Sequence, residues 1–426
     1  MRNDDPDLIR NPLLGRKIAL GVTGSIAAYK AVALASSLTQ QGALVDVVMT
    51  PEATRLVQPL SFQAITRRPV AVDVFELDAE SHIGHVAIGR QADLLLVVPA
   101  TAHTIAKLAL GLADDMVTTT ALSSVAPGVL APAMETNMWA HPATEAHIRT
   151  LRERGWTIVE PDVGHLASGS VGAGRLADPE VILQVAKYVL ARRGDLAEWR
   201  VAVTAGGTRE AIDPVRYISN RSSGKMGYAI AESARDRGAA VTLISTTGAP
   251  APFGARLVEV ERAVEMRDAV VSLLPGIDAL VMAAAVADYM PSEPAEAKIK
   301  KSARAMSVEL APTPDILAEV AAATRGARRP LLVGFAAETE NLVENARAKL
   351  NGKGLDLIVA NDVTRTDSGF GSDFNKVVIL RKDGAQIDLP LLTKIDVAHH
   401  LWDQVLGFGE GRRPTEMVSN DGGRGK

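Results

Sequence analysis

Short, continuous apolar runs alternate along the chain with longer stretches of helical character. The first unit, KIALGVTGSIAAYKAVALASSLTQQGALVDVVMTP, combines an apolar run, a Gly/Ser turn, a helical stretch, Gly42 and a second apolar run. This order predicts a strand–loop–helix–strand unit of a parallel α/β sheet. Two further strands are predicted at ADLLLVVPA and APGVLAPAM, whose unbroken apolar character is typical of a sheet covered on both faces.

The remainder of the first half completes this sheet. A helix is predicted at IRTLRERG, ending at Gly155, and a strand follows at TIVEP. The next segment, GHLASGSVGAGRLADP, is rich in Gly and Ser and lacks periodicity, so we expect a long loop or flap there. The closing element is a helix at PEVILQVAKYVLARRG.

A second unit of the same kind begins near Trp199. A strand that runs into a glycine turn is predicted at WRVAVTAGGTRE, and RYISNRSSGKMG leads into a helix that ends at Gly238. Further strands are predicted at AAVTLIST, DALVMAAAVADY, PLLVGFAAET and LDLIVANDV. Each half is therefore expected to be an α/β domain with its own sheet, and the two are joined around residues 190–198.

Composition narrows the protein class. A length of 426 residues favours two or three domains, and 47% hydrophobic with 23% charged residues is typical of a globular chain. The 46 basic and 50 acidic residues give a net charge of −4, which argues against a general nucleic-acid binder. The absence of cysteine excludes disulfides, thiolate metal sites and a cysteine nucleophile, and favours a cytoplasmic protein.

Membrane insertion and export are not expected. The N-terminal residues MRNDDPDLIRNPLLGRK carry acids where a signal peptide needs bases and an apolar run. The longest apolar runs, such as LVMAAAVA, are far shorter than the ~20 residues that span a bilayer.

Two Gly/Ser turns before helices are candidate phosphate sites, GVTGSIAAYK and NRSSGKMGYA. Such turns present backbone N–H groups at a helix N-terminus, but many carry Gly and Ser for geometry alone, and both interpretations stay open. A P-loop is excluded because Ser219 and Met226 occupy two of its required positions. The dinucleotide fingerprint G-x-G-x-x-G is also missing, which disfavours a nicotinamide-dependent dehydrogenase.

Lysines in the second half support a polyphosphate ligand. AKIKKSARA contains Lys298, Lys300 and Lys301, and ARAKLNGKG contains Lys349 and Lys353, which share a helix face only if the helix continues past Gly352. Each run alone would more commonly be a solvated charged surface. Together with RSSGK they favour a triphosphate, which needs several cations and usually Mg²⁺.

The motifs identify two known families. TAGGTREAIDPVRYISNRSSGKMG, AAAVADY, KIKK, TPDIL, VGFAAET and ANDV resemble the phosphopantothenate–cysteine ligase domain. Three other motifs resemble the flavin-dependent phosphopantothenoylcysteine decarboxylase domain, namely GVTGSIAAYK, HVAIGRQADLLLVVPATAHTIAKLALGLADD and PAMETNMWAHPAT. The two families are commonly fused in this order in bacteria, and the resemblance covers nearly the whole chain.

The resemblance implies an α/β fold class with two Rossmann-like, doubly wound domains, the first flavoprotein-type (flavodoxin-like) and the second a ligase domain. The expected division is a leader over 1–15, the decarboxylase domain over 16–193, the ligase domain over 194–408 and a disordered tail over 409–426. The family also implies homo-oligomers, with trimer-based decarboxylase assemblies whose flavin site lies between subunits, and ligase dimers.

The ligase resemblance implies that 4′-phosphopantothenate attacks CTP to give an acyl-cytidylate, from which the amine of cysteine displaces CMP. Asn220 would hold the acyl-cytidylate, and Ser222 to Lys225 would line a phosphate or nucleotide site. Without the resemblance, Phe335 would be interpreted as core packing and Asp288 as a helix cap. The implied CTP site consists of Met282, Ala283, Ala284, Asp288, Lys298, Pro314, Asp315, Ile316, Leu317, Phe335, Lys349 and Lys353.

The decarboxylase resemblance implies an FMN cofactor, which provides reversible hydride transfer so that CO₂ loss does not leave an unstabilised carbanion. His85 matches the catalytic histidine of the family, and a metal pair with His82 is disfavoured because no third ligand is evident nearby. The implied FMN site consists of Gly24, Ser25, Thr50, Pro99, Ala100 and Thr101.

Two catalytic positions depart from the family pattern. Glu135 replaces an asparagine that would hold the substrate carboxylate, and an ionised glutamate would repel it; Asn137 could supply the missing amide. Ser168 replaces a cysteine proton donor, although a hydroxyl is a much weaker acid. The departures leave two alternatives to a bifunctional enzyme: a working ligase with a catalytically weak FMN domain, or a regulatory flavoprotein-type binding module.

Overall fold

The computed structural model describes residues 10–75, 84–301, 306–324, 329–338, 340–362 and 371–409. The chain divides into two compact units, one up to Arg192 and the other from Arg193. Most of the expected leader and nearly all of the expected disordered tail lie outside the described residues. Among the helices of the described ranges, none combines the length and apolar character that crossing a membrane requires.

The N-terminal unit is built on a six-stranded parallel sheet with the strand order β3-β2-β1-β4-β5-β6. This is the doubly wound order of the Rossmann fold rather than the flavodoxin order 2-1-3-4-5. All strands predicted in this half are confirmed. Their bounds are β1 Lys17–Val22, β2 Leu44–Met49, β3 Val70–Ala71, β4 Leu94–Ala100, β5 Gly128–Pro132 and β6 Thr157–Ile158.

Helices cover this sheet, and the three that were predicted are confirmed at Ala28–Gln40, Pro142–Glu153 and Pro179–Ala191. The predicted helix end at Gly155 is approximate, because the helix stops at Glu153 and Gly155 follows in the left-handed region at φ 87°. The helices are α1 Ala28–Gln40, α2 Pro51–Thr54, α3 Pro59–Thr66, α4 Gly84–Gln91, α5 Ala102–Leu110, α6 Met116–Ser123, α7 Thr136–Trp139, α8 Pro142–Glu153 and α9 Pro179–Ala191.

The segment predicted as a long loop is a β-hairpin instead. Strands β7 (Asp162–His165) and β8 (Val171–Arg175) pair in antiparallel register. Glycines hide the strand signal in the sequence because they have low strand propensity. One of them is required: Gly174 has φ 138°, its carbonyl accepts the Met134 N–H at 2.9 Å, and a Cβ there would lie 2.3 Å from the Met134 carbonyl oxygen. The hairpin therefore packs directly on the chain that follows β5.

The C-terminal unit contains an eight-stranded sheet with the order β13-β12-β9-β14-β17-β18-β20-β21. Pairing is parallel from β13 to β18, and β20 and β21 add antiparallel edge strands. The predicted strands of this half are confirmed. The bounds are β9 Arg200–Ala205, β12 Ala240–Ser245, β13 Arg256–Glu259, β14 Ala279–Met282, β17 Leu331–Glu338, β18 Leu357–Asp362, β20 Val377–Arg381 and β21 Gln386–Asp388.

Short strand pairs and helices complete this unit. The pairs are β10 Arg209–Ala211 with β11 Tyr217–Ser219, β15 Tyr289–Pro291 with β16 Leu310–Pro312, and β19 Phe374–Asn375 with β22 Leu392–Thr393. The helices are α10 Lys225–Asp236, α11 Ala263–Leu273, α12 Ile316–Ala323, α13 Leu342–Gly352 and α14 Lys394–Gly409. Helix α13 thus includes Gly352 and ends there, and Lys353 is its C-cap.

Burial on both faces explains the unbroken apolar runs. Along β14, Ala279 and Val281 pack into one core cluster, whereas Leu280 and Met282 pack into the cluster on the opposite face. Successive side chains of a strand point to opposite faces, so a sheet covered on both sides needs apolar residues at every position. The polar residues that could serve chemistry are therefore confined to the strand ends.

Candidate functional sites

The residues predicted to bind flavin meet at the carboxyl ends of β1, β2 and β4. These strands are parallel neighbours, so the loops that follow them lie along one edge of the sheet. Hydrogen bonds hold the edge together: Thr23 Oγ1 donates to the Pro99 carbonyl at 2.7 Å and accepts the Thr101 N–H at 3.1 Å. The Ser25 hydroxyl donates to the Ala133 carbonyl at 3.2 Å.

Two of these hydroxyls also cap helices. Thr50 Oγ1 accepts the N–H of Ala53 at the start of α2, and Thr101 Oγ1 accepts the N–H of Thr104 at the start of α5. Both caps are side-chain contacts that satisfy N–H groups otherwise unpaired at a helix start. The same residues therefore position the edge of the sheet, whatever ligand binds there.

The edge fits a flavin phosphate. Helix α1 follows the first loop, and its N-cap residue Ala27 offers no side-chain hydrogen bond to the first turn. A helix N-terminus of this kind receives an anion through its backbone N–H groups and dipole. The close approach of the loop to α2 depends on Gly24, because a Cβ there would lie 2.6 Å from Glu52 Cβ.

A cavity of about 460 Å³ lies beside this edge, between the loop before α1, the chain after β5 and the β7–β8 hairpin. It brings together three predicted residues, Ser25, Glu135 and Ser168. Its lining also includes chemically useful residues that the sequence reasoning did not assign, namely Tyr29, Lys30, His165 and Arg175. Predicted residues that are not part of the lining are Gly24, Thr50, His85, Pro99, Ala100, Thr101 and Asn137.

Glu135 is tied into hydrogen bonds on both carboxylate oxygens. It is the N-cap of α7, and its Oε2 accepts the Asn137 N–H at 2.6 Å. Its Oε1 accepts a hydrogen bond from the Ser170 hydroxyl at 3.4 Å, and Ser170 Oγ lies 2.8 Å from Ser168 Oγ. Asn137 contributes its backbone N–H here, while its side chain is exposed outside the cavity lining.

His85 lies on α4, away from this cavity. Its backbone carbonyl accepts the Ser123 hydroxyl at 3.0 Å, and its Nδ1 is buried with no hydrogen-bond partner among the described residues. The possible partner His82 lies outside the described residues. In the described part of the chain, no group of three or more His, Cys, Asp or Glu side chains could hold a metal ion.

A second cavity, of about 720 Å³, lies at the carboxyl ends of β14 and β17. It includes every residue predicted to bind CTP except Ala283 and Lys298, and it also includes Arg221, which the sequence reasoning did not single out. Phe335 both lines this cavity and packs against the core, and Asp288 caps no helix. The predicted residues in the lining are Asn220, Met282, Ala284, Asp288, Pro314, Asp315, Ile316, Leu317, Phe335, Lys349 and Lys353.

The two lysines of this cavity are paired with carboxylates. Lys349 Nζ lies 2.6 Å from Glu338 Oε1, and Lys353 Nζ lies 3.3 Å from Asp315 Oδ2. Both lysine side chains are more than two-fifths exposed, so these ion pairs contribute little stability and a polyanion can compete for the ammonium groups.

Asn220 holds the loop that follows β14. Its side-chain amide donates to the Val286 carbonyl at 3.1 Å. Threonines from the neighbouring strand fix the same loop, because Thr204 Oγ1 accepts the Ala284 N–H and Thr208 Oγ1 accepts the Ala287 N–H, each at 3.0 Å. The loop that forms one wall of the cavity is therefore rigidly attached to β9 and its following turn.

Lys298 lies outside the cavity lining, in an exposed segment that is anchored one residue later. Asp213 Oδ2 accepts the Ile299 N–H at 3.1 Å, and Arg216 donates to the Ile299 carbonyl at 2.9 Å. The Arg216 guanidinium, with backbone N–H groups that include Ile299, holds the pKa of the Asp213 carboxyl well below its usual range. This anchor was missed, although its signal, an aspartate three residues before an arginine around Pro214, is present in the motif AIDPVRYISN.

The Ser/Gly turn before α10 does not line the 720 Å³ cavity. Its Gly224 is the N-cap of α10 at φ 76°, and Lys225 Nζ contacts Asp373 at 2.7 Å. Nearby Lys394 is buried, and burial together with the charge of Lys225 lowers its pKa. The turn provides a helix N-terminus with two lysines, outside the cavity that contains the other predicted nucleotide residues.

Comparison with known proteins gives the same assignment for both units. A family model described as Flavoprotein matches residues 10–190, and one described as DNA/pantothenate metabolism flavoprotein C-terminal domain matches residues 196–408. The chain is 46% identical over 402 residues to the coenzyme A biosynthesis bifunctional protein CoaBC of Bacillus subtilis (strain 168), covering 93% of this chain and 98% of that protein. Its counterpart in Escherichia coli (strain K12) is 43% identical over 398 residues, covering 92% and 97%. A crystal structure of the C-terminal domain of a protein of this name is 42% identical and covers 50% of this chain and 96% of its own, with a TM-score of 0.43.

Proposed function

The chain belongs to the family of coenzyme A biosynthesis bifunctional proteins, and from this premise we propose how its two units divide the ligase and decarboxylase activities. The C-terminal unit joins cysteine to 4′-phosphopantothenate at the expense of CTP. The N-terminal unit then removes CO₂ from the product with FMN to give 4′-phosphopantetheine. The observation that carries this proposal is the 720 Å³ cavity, which collects almost the whole predicted CTP site at one sheet edge.

In the ligase unit, charge neutralisation and positioning account for catalysis. A carboxylate is a poor electrophile, so 4′-phosphopantothenate is first converted to an acyl-cytidylate with release of pyrophosphate. Lys349 and Lys353 exchange their carboxylate partners for the triphosphate, with which Mg²⁺ enters. Asn220 lines this cavity beside the loop after β14, where its amide would hold the acyl phosphate while the amine of cysteine attacks.

In the decarboxylase unit, the edge formed by β1, β2 and β4 would hold FMN, and the N-terminus of α1 would receive its phosphate. Bound flavin supplies reversible hydride transfer. The substrate lies in the 460 Å³ cavity beside it. His85 completes the site of a neighbouring copy, which accounts for its absence from the cavity lining of its own unit and for its buried Nδ1, which has no partner among the described residues. This assignment requires a homo-oligomer, and we place the enzyme in the cytoplasm.

A single-pot assay tests the proposal. The FMN-loaded protein receives 4′-phosphopantothenate, cysteine, CTP and Mg²⁺, and mass spectrometry follows the products. Formation of 4′-phosphopantetheine is expected. Accumulation of 4′-phosphopantothenoylcysteine would instead support a working ligase with a catalytically weak flavin unit. This is the alternative that Glu135 and Ser168 leave open, because both depart from the family pattern. Absence of both products and of CMP would refute the assignment of activity.

A further inference from the structure

The decarboxylation assigned to the N-terminal unit needs a proton source, and this inference rests on that proposed function. Loss of CO₂ breaks a carbon–carbon bond, and the electron pair left on carbon must end in a new C–H bond, so each turnover consumes one proton. Reversible hydride transfer leaves this balance unchanged, because the hydride is returned. The chain contains no cysteine, so a thiol of the enzyme is excluded as the donor.

A chain of three oxygen-bearing side chains reaches the cavity. Ser168 lies in the lining, its Oγ is 2.8 Å from Ser170 Oγ, and Ser170 donates to Glu135 Oε1 at 3.4 Å. Glu135 is itself fixed, because its second oxygen accepts the Asn137 N–H at 2.6 Å. Ser168 and Glu135 both line the cavity, and Ser170, which is not part of the lining, connects the two. Contacts of this length in a ligand-free site commonly shorten when substrate binds.

We propose that Ser168, Ser170 and Glu135 form a proton relay that replaces a thiol donor. The Ser168 O–H bond breaks as its proton joins the carbon that lost CO₂. Ser170 passes its proton to Ser168 and takes one from the protonated carboxyl group of Glu135, so the Ser170–Glu135 hydrogen bond, in which Ser170 is the donor in this structure, reverses when Glu135 carries a proton. Glu135 is left as the carboxylate, which the Asn137 N–H stabilises, and it regains a proton from solvent.

The relay explains why two departures from the family pattern occur together in one site. A serine hydroxyl alone is far too weak an acid for this task, whereas a carboxylic acid is strong enough. Ser168 and Glu135 both line the cavity, and the relay assigns the proton transfer to carbon to Ser168, which is therefore the catalytic residue. Ser170 and Glu135 act through it as positioning residues. Other charged or titratable groups that line the cavity are Tyr29, Lys30, His165 and Arg175, and of these His165 is the competing proton source.

The test uses the full-length, FMN-loaded protein and 4′-phosphopantothenoylcysteine. The variants Glu135→Gln and Ser170→Ala should lower the rate of 4′-phosphopantetheine formation by ~10²–10⁴-fold, the usual contribution of proton transfer. Loss of CO₂ should still occur, so the enethiol formed by that loss, which has two fewer hydrogen atoms than the product, should appear. Its amount should not exceed one equivalent per bound flavin under nitrogen, and it should accumulate further only when O₂ is supplied as the two-electron acceptor. Adding Ser168→Cys to Glu135→Gln should restore product, because a thiol is its own proton source. Glu153→Gln, an exposed glutamate at the end of α8, is the matched control.

A second readout does not depend on turnover. In the flavin-free protein, the infrared band of the Glu135 carboxyl group is identified as the band that disappears in Glu135→Gln. This band should shift in Ser170→Ala, because the Ser170 variant removes the hydrogen bond to Glu135 Oε1. An unshifted band would overturn the contact. The relay would be overturned if Glu135→Gln formed product at the wild-type rate. It would also be overturned if the enethiol accumulated in His165→Ala but not in the relay variants. Either result would leave the decarboxylase function intact. A wild-type protein that releases no CO₂ would overturn the proposed function itself.

Discussion

The C-terminal cavity is lined by lysines that pair with carboxylates, whereas the cavity of the N-terminal unit is lined in part by exposed apolar side chains. In the former, Lys349 and Lys353 are held by carboxylates of the same unit, so the site carries its own counter-charges. In the latter, the lining includes Ile26 and Tyr29, which are 65% and 63% exposed. Large apolar side chains that remain exposed around a cavity mark a surface that a ligand or another chain covers. This difference motivates a test of whether the flavin site, unlike the nucleotide site, is completed by a second copy of the chain, as proposed above.

The largest expected effect tests this contrast through His85. If the flavin site takes His85 from a neighbouring copy, His85→Ala and Ser168→Ala should each lose ~10²–10⁴-fold in decarboxylation. Co-assembled variants should regain activity, because some sites then combine an intact His85 with an intact Ser168. The measurement is 4′-phosphopantetheine formation by mixed and unmixed preparations. A mixture as inactive as its components would place His85 in the site of its own unit.

The next largest effect on activity is expected for Asn220, which lines the cavity of the C-terminal unit. Asn220→Ala removes the amide that holds the loop after β14 and the acyl phosphate, and we expect ~10²–10³-fold slower ligation, as for other donors to a developing anion. The acyl-cytidylate should accumulate, which mass spectrometry can detect. Decarboxylation of added 4′-phosphopantothenoylcysteine is the internal control and should be unchanged. Recovery of ligation by mixing with another ligase variant would show that this cavity is shared after all.

Burial and sheet topology explain which parts of the fold could be predicted from the sequence. The strands of both sheets were predictable because burial on two faces requires unbroken apolar runs, as in β14. The β7–β8 hairpin was missed because its glycines carry no strand signal, and Gly174 is placed by contact with Met134, which is distant in sequence. The CTP site was predicted only through the resemblance to the ligase family, and parallel topology explains why most of the residues that the resemblance named lie in one cavity at one edge of the sheet.

What could not be predicted are contacts made between loops. Ser170 has no motif of its own, and only the fold of the hairpin brings it to Glu135. Asp213 and Ile299 are separated by more than eighty residues, so their hydrogen bond has no local signature. Such contacts depend on the tertiary arrangement of turns, for which neither periodicity nor propensity gives information.

Lys349 and Lys353 give a smaller effect. Lys349→Ala or Lys353→Ala should raise the KM for CTP by about tenfold, the usual value of one charge-assisted hydrogen bond to a partly exposed group. Added salt should raise the KM of the wild type more than that of the variants, because screening weakens contacts that the variants lack. Lys382→Ala, an exposed lysine outside the cavity lining, is the matched control. An unchanged KM in both cavity variants would contradict a triphosphate site here.

Asp213 gives the smallest effect on activity and a distinct dependence on pH. Asp213→Asn should weaken the anchor of Ile299 and thereby raise the KM for CTP only a few-fold, because Lys298 remains present but is less well positioned. Arg216→Lys should have a similar effect, since an ammonium lacks the planar fork that contacts both Asp213 and Ile299. A KM equal to that of the wild type in both variants would remove Lys298 from the nucleotide site.

The stability of the C-terminal unit should report the same anchor. The pKa of Asp213 is lower in the folded protein than the ordinary value of 3.8, so its ionised form stabilises the fold. This contribution is complete above the ordinary value and is lost as the pH falls below it towards the folded value. The difference in melting temperature between the wild type and Asp213→Asn, followed by calorimetry, should therefore be constant near neutrality and shrink in acid. A difference in melting temperature that does not vary with pH would contradict this expectation. The negative charge of Asp213 would then contribute little to the stability of the anchor.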